Sequence, residues 1–190
     1  MPVWGIALIV IALIIVVIAI SLFAWWISTM NWFNRVVETV HDSLSGIDVA
    51  LTKRYDLLPK ELAVVKGYAK HEYDTLTKVI ENRRPEKNMS LAEKSQSANA
   101  MTSALEKLSV VVEQYPNLKA DTQFSALGRQ ISEVEEELQA ARRIYNSNVR
   151  IFNQKLVSWP ASIVGKHYGH VKFEFFQAEE AKKQDVKIEF

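Results

Sequence analysis

Residues 4–26 read WGIALIVIALIIVVIAISLFAWW, and no charged residue occurs from Val3 to Ile27. A helix rises about 1.5 Å per residue, so this stretch spans roughly 33 Å, close to the hydrocarbon thickness of a bilayer. Trp4 stands at one end, and Trp25, Trp26 and Trp32 at the other. Indole rings favour the membrane–water boundary, so all four are predicted at interfacial depth. A cleaved signal peptide would need a basic leading segment, a shorter apolar core and small residues at the cut. Here no basic residue precedes the apolar run, and the run is longer. A retained transmembrane helix is therefore predicted over 4–28, with residues 1–3 as a short flank. Arg35 lies just beyond it, followed by Lys53 and Arg54. Cationic residues favour the cytoplasmic side, which predicts a single-pass cell-membrane protein with its N-terminus outside and its remaining domain in the cytoplasm.

Outside this run the chain is polar. Every Lys, Arg, Asp and Glu lies at Arg35 or later, yet the formal net charge of the whole is only +1. A nucleic-acid binder would show a basic domain or stripe, so no nucleic-acid partner is expected. There is no cysteine, which excludes a disulfide, a zinc–thiolate site and a thiol nucleophile.

Four segments after the apolar run carry apolar residues at alternating steps of three and four. The first holds Val37, Val40, Leu44, Ile47, Leu51 and Leu58. The second holds Leu62, Val65, Ala69, Leu76 and Val79. The third holds Leu91, Ala98, Met101, Leu105, Leu108, Val112 and Tyr115. The fourth runs Phe124, Leu127, Ile131, Val134, Leu138, Ala141, Tyr145, Asn148 and Phe152. This alternation averages 3.5 residues, the seam of left-handed helix packing, and four such stripes can bury one another. Pro59 is predicted in the first turn of the second helix, with Asp56 as its cap and Gly67 inside it. Ser90 and Glu93 have capping-box spacing and open the third. Tyr115-Pro116 ends it, and Asp121 caps the fourth. Pro160, Gly165 and Gly169 close the helical pattern. Ser28 to Asn34 contains neither Gly nor Pro, so the membrane helix is predicted to continue into the first bundle helix. The fold class is all-α: a transmembrane helix, then an elongated antiparallel bundle of about four helices over 29–160, then a polar C-terminal tail over 161–190.

Several strings resemble the LemA family of bacterial membrane proteins. They are Ile47-Asp48-Val49 with Leu51, Lys53-Arg54-Tyr55-Asp56-Leu57-Leu58-Pro59, Val65-Lys66-Gly67-Tyr68-Ala69 followed by His71-Glu72, and Tyr115-Pro116-Asn117-Leu118-Lys119-Ala120. Further on come Ala141-Arg142-Arg143, Tyr145-Asn146, Val149-Arg150 and Asn153. The resemblance implies a short N-terminal anchor followed by a long antiparallel helical bundle. It implies no reaction and no catalytic residues. One departure is late: Gly165-Lys166-His167-Tyr168-Gly169-His170 is more polar than the apolar, Phe-Gly-rich stretch expected of the family.

The fourth helix carries a polar stripe beside its apolar seam: Gln139, Arg143, Asn146, Arg150 and Asn153 share a face by their three-four spacing. Arg143, Asn146, Arg150 and Asn153 are candidates for binding an acidic partner or headgroup, because guanidinium groups grip carboxylates and phosphates in bidentate fashion. An ordinary half-buried polar layer is the preferred account of them, with Asp48 paired to Arg143 or Arg150 across the bundle. The last residues alternate, with Val186, Ile188 and Phe190 apolar, and can add to a sheet edge of a peptide-binding partner. Glu38-x-x-His41 has the spacing of a di-iron ligand pair but no second pair accompanies it. His167-x-x-His170 is read as a solvated segment, and no metal or other cofactor is expected. No nucleophile elbow and no glycine-rich phosphate loop occurs. The expected function is thus a membrane-anchored scaffold or interaction protein without catalytic activity, with the lipid bilayer, an unidentified protein and a second copy of the chain as partners. The alternative is a signal- or ligand-sensing bundle outside the cytoplasm.

Overall fold

A computed structural model describes residues 3–68 and 89–177. They form three long helices and two short ones, with no strand among the described residues: α1 (Val3–Lys66), α2 (Leu91–Gln114), α3 (Pro116–Lys119), α4 (Thr122–Val157) and α5 (Ala161–His167). The all-α reading is met. As expected, α1 continues from the apolar run through residues 28–34 without interruption.

Where α1 stops differs from expectation. Pro59 does not open a new helix; it lies inside α1, which runs on to Lys66. Proline lacks an N–H and costs the helix a hydrogen bond. The buried stripe explains why the helix persists: Leu51, Leu58, Leu62 and Val65 keep three-four phase across the proline and are all buried. Gly67 sits just past the helix rather than within one, in a turn where its N–H donates to the Val64 carbonyl at 3.2 Å. Ala69, Leu76 and Val79 of the second predicted stripe, and the charged loop at 82–88, lie outside the described residues.

The expected caps at Ser90 and Asp121 form, whereas Asp56, expected to cap a second helix, lies inside α1. Ser90 Oγ accepts from the Glu93 N–H at 3.3 Å, and Glu93 Oε2 accepts from the Ser90 N–H at 2.7 Å, a closed capping box. Asp121 Oδ1 accepts from the N–H groups of Gln123 and Phe124 at 2.8 and 3.0 Å, which satisfies two of the free donors at the start of α4.

The chain divides into two compact units, each with its own core. The anchor unit comprises the described residues within 1–41 and 148–173. Its core is Phe33, Phe152, Leu156, Ala161 and Val164, flanked by Trp26, Met30, Trp32, Val37 and Phe173. Gly165 belongs to this packing: a Cβ there would lie 2.5 Å from Leu156 Cδ1 and 3.2 Å from Phe33 Cζ, so only glycine allows α5 this close. Gly165 therefore sits inside a helix and does not end one. The bundle unit comprises the described residues within 42–147 and 174–190. Its core is Leu58, Leu62, Val65, Met101, Ala104, Leu108, Leu118 and Ile131. Within this unit α1 and α4 run antiparallel, since Lys53 meets Glu137 while Glu61, further along α1, meets Gly128, earlier along α4.

Candidate functional site

Three charged side chains of the bundle unit are buried: Arg54, Glu61 and Lys94. Each occupies a position of an apolar stripe. Arg54 falls three after Leu51 and four before Leu58; Glu61 falls three after Leu58 and four before Val65; Lys94 falls three after Leu91 and four before Ala98. Sequence reasoning passed over all three, although a charge at a stripe position was the signal that could have found them.

Arg54 is 1% exposed. One terminal nitrogen lies 2.9 Å from Glu135 Oε2, a charge contact rather than an aligned hydrogen bond, and the same nitrogen donates to Thr102 Oγ1 at 3.0 Å. The other donates to the Ala98 carbonyl at 3.3 Å. Burial lowers the Arg54 pKa, Glu135 opposes that shift, and Arg142 adds to it by like-charge repulsion. The guanidinium remains cationic, because its delocalised charge resists deprotonation even when buried. Arg142 is half-buried, lies over the Phe176 ring at 5.0 Å, and has its own pKa lowered by burial against the pull of Glu135. One carboxylate thus serves two guanidiniums, a balance that desolvation makes sensitive to loss of any member.

The pairing expected between Asp48 and Arg143 does not form. Lys94 Nζ lies 2.7 Å from both carboxylate oxygens of Asp48 instead. Lys94 is the buried cation facing that part of α1, whereas Arg143 points to solvent. Arg150 is exposed too, and neither arginine makes an ion pair among the described residues.

Asn146 and Asn153 are engaged by the chain itself. In the bundle unit, Asn146 Nδ2 donates to the Phe176 carbonyl at 3.0 Å and Asn146 Oδ1 accepts from the Phe176 N–H at 2.8 Å. Tyr145 Oη donates to the Glu174 carbonyl at 2.9 Å beside it. In the anchor unit, Asn153 does the same to Phe173, with Nδ2 donating at 2.9 Å and Oδ1 accepting at 3.0 Å. A carboxamide presents an N–H donor beside an oxygen acceptor, so each asparagine pairs both the N–H and the carbonyl of one residue. Phe173 and Phe176 are held in this way, and Phe176 is buried. Val186, Ile188 and Phe190 lie outside the described residues.

The expected solvated segment is exposed from Lys166 to Gly169 and half-buried at His170, and both of its histidines touch aromatic rings. His167 meets the Trp26 ring edge-on at 5.4 Å, and His170 stacks on Phe33 at 5.1 Å with Nε2 buried and without a hydrogen-bond partner among the described residues. His170 also borders a cleft of about 450 Å³ in the anchor unit, shared with Arg35, Glu38, Phe152, Val171 and Phe173. Among the described residues no group of three or more His, Asp or Glu side chains could hold a metal. The four tryptophans divide. Trp4 and Trp25 are exposed along the apolar run, whereas Trp26 and Trp32 are partly covered; Lys155 Nζ lies over the Trp32 ring at 5.5 Å.

The LemA family profile matches residues 43–190. The chain belongs to the LemA family. It is 28% identical to Protein LemA of Metamycoplasma hominis over 163 residues, covering 85% of this chain and 74% of that protein. It is also 28% identical over 78 residues to the Magnetosome proteins MamQ 2 and MamQ 1 of Paramagnetospirillum magneticum, covering 41% of this chain and 29% of each of those. The family match includes Arg54, Glu61, Lys94, Glu135, Arg142 and both asparagines, but not the apolar run.

Burial raises the Glu61 carboxyl to about 7, and it lines a hollow of about 300 Å³ with Glu113, Lys119 and Phe124. The fold therefore favours the neutral acid. Its stabilisation is complete below the ordinary carboxylate range and is lost as pH rises through about 7. Thermal unfolding followed by circular dichroism is expected to show lower stability at pH 8 than at pH 5, with Glu61 contributing about 2–3 kcal/mol. Glu61→Gln is expected to flatten that dependence; an unchanged slope would remove Glu61 as its source.

Proposed function

We propose that the chain is a membrane-tethered interaction protein. One observation carries this reading: the apolar side chains from Leu8 to Phe23 are each about half exposed or more, with no part of the described protein over them. A core helix of equal length would be buried. Burying such a stretch in hydrocarbon is favourable at about 25 cal/mol per Å² of apolar surface, whereas leaving it in water promotes aggregation. The helix is long and apolar enough to cross a membrane. The remaining unit is a helical bundle whose buried cations Arg54 and Lys94 are taken up by Glu135 and Asp48, and no nucleophile, base and oxyanion donor converge among the described residues.

Charge supports a cytoplasmic bundle. The residues 1–41 and 148–173 contain Arg35, Arg150, Lys155, Lys166 and Lys172 against a single acid, Glu38. A cationic surface beside a membrane span favours the cytoplasmic side. The chain has no native cysteine, so Ser109→Cys on the exposed face of α2 reports sidedness with a membrane-impermeant thiol reagent. Protection in intact cells and labelling after lysis are expected; labelling in intact cells would move the bundle outside and favour the sensing alternative.

The partner surface is the exposed part of α4. Its asparagines are occupied by the chain's own backbone, which leaves Arg143 of the bundle unit, and separately Arg150 of the anchor unit, each as a cationic grip for an acidic protein or for a second copy. Crosslinking in native membranes is expected to recover such a partner. The variant carrying Arg143→Gln and Arg150→Gln is expected to lose several-fold in recovery with unchanged helical content. Equal recovery would refute the arginine surface, and loss of helicity would mark the two side chains as structural.

A further inference from the structure

The anchor unit presents a second apolar surface besides its long helix. α5 turns Ala161, Val164 and Gly165 inward and leaves Ile163 outward. Just before it, Val157 and Trp159 are exposed, and Trp159 is 81% exposed, the most open large apolar side chain among the described residues. An indole left in water beside two aliphatic side chains is unfavourable unless something covers it.

The packing fixes the depth of this surface along α1. Phe152 meets Phe33 at 5.6 Å, Lys155 lies over Trp32, and Trp26 meets His167 and Tyr168. Trp26 Nε1 also donates to Tyr168 Oη at 3.4 Å. The segment from Phe152 to Tyr168 therefore descends along α1 from Phe33 to Trp26. Val157, Trp159 and Ile163 lie on this segment, at the level where the uncharged run of α1 gives way to polar residues. That level is the boundary of a bilayer crossed by α1. Charge points the same way. Residues 148–173 contain Arg150, Lys155, Lys166 and Lys172 and no acidic residue. Aromatic and aliphatic groups beside cationic ones are the composition of an interfacial contact with anionic lipid.

We infer that the corner between α4 and α5 is a second membrane contact, in which Val157, Trp159 and Ile163 enter the headgroup layer of an anionic bilayer and Lys155 and Lys166 meet its phosphates. The inference rests on the reading of α1 as the membrane span. The corner then acts as a foot beside the anchor: α1 prevents escape, and the foot restricts rocking of the anchor unit on the surface.

The test uses the full-length chain in phosphatidylcholine vesicles containing phosphatidylglycerol. Single cysteines are placed by Trp159→Cys, Ile163→Cys, Ile15→Cys and Ser109→Cys and labelled with an environment-sensitive fluorophore. Trp159 and Ile163 are exposed, so their replacement leaves the core intact, and circular dichroism verifies helicity. Lipids with a quencher near the headgroup are expected to dim the probes at 159 and 163 at least about twofold more than the probe at 109, with matching protection from aqueous iodide. Omitting phosphatidylglycerol is expected to reduce that difference. Free iodide quenching at 159 and 163, with the probe at 15 still quenched by deeply labelled lipid, would overturn the foot and leave the anchor standing. Protection from both quenchers would mean that protein, such as a second copy, covers the corner, and would also overturn it. Failure of lipid quenching at 15 would remove the anchor and the foot together.

Discussion

A run of more than twenty residues without a charge, uncovered by the rest of the described chain, sets the terms for everything else in this molecule. Such a helix satisfies its own backbone hydrogen bonds and needs only an apolar surrounding, which a bilayer supplies. The protein packs against α1 only after Trp26. From there the anchor unit closes on Phe33 with rings from α4 and from residues 168–173, and Gly165 lets α5 approach within a distance that a methyl group would forbid. Its cationic excess is the companion feature, since charge of that sign suits the anionic face of a membrane.

The bundle unit solves a different problem. Its helices are amphipathic, and the apolar stripes are interrupted by Arg54, Glu61 and Lys94. A buried guanidinium is costly, and here it is offset by Glu135 of α4 and by a carbonyl and a hydroxyl one turn apart on α2. Those partners coincide in one register only, so the charge contributes more to choosing the register than to total stability. Glu61 has no such offset, and burial lifts its carboxyl to about 7, which makes it the pH-sensitive point of this unit.

The long stripes were legible because burial of one helix face leaves a strict imprint on residue spacing. On the fourth stripe every residue from Phe124 to Phe152 is buried or half-buried. The caps at Ser90 and Asp121 were legible because their hydrogen bonds are local. Pro59 was misread because local propensity was allowed to outweigh a stripe that continues in phase through it. The buried charges were missed for the converse reason: their positions fit the stripe, but their chemistry concealed them. Residues 161–177 read as a polar tail, yet their partners are asparagines far away in sequence, and no local pattern announces a backbone segment held by side-chain amides. Likewise Asp48 found Lys94 rather than Arg143, since facing positions on separate helices depend on register that spacing along one helix does not reveal. Membership of the LemA family was legible in short strings, two of which contain Arg54 and Arg142, whereas Glu61, Lys94 and Glu135 lie between the strings.

Alkaline extraction of membranes from cells making the full-length chain addresses the central point, that α1 is held in hydrocarbon. High pH strips proteins bound through surface charge and leaves spanning helices in place. The chain is expected to remain with the sedimented membranes, and deletion of residues 4–26 to release it. Recovery of the intact chain in the supernatant would contradict a membrane span and would leave the apolar face of α1 to be covered by protein.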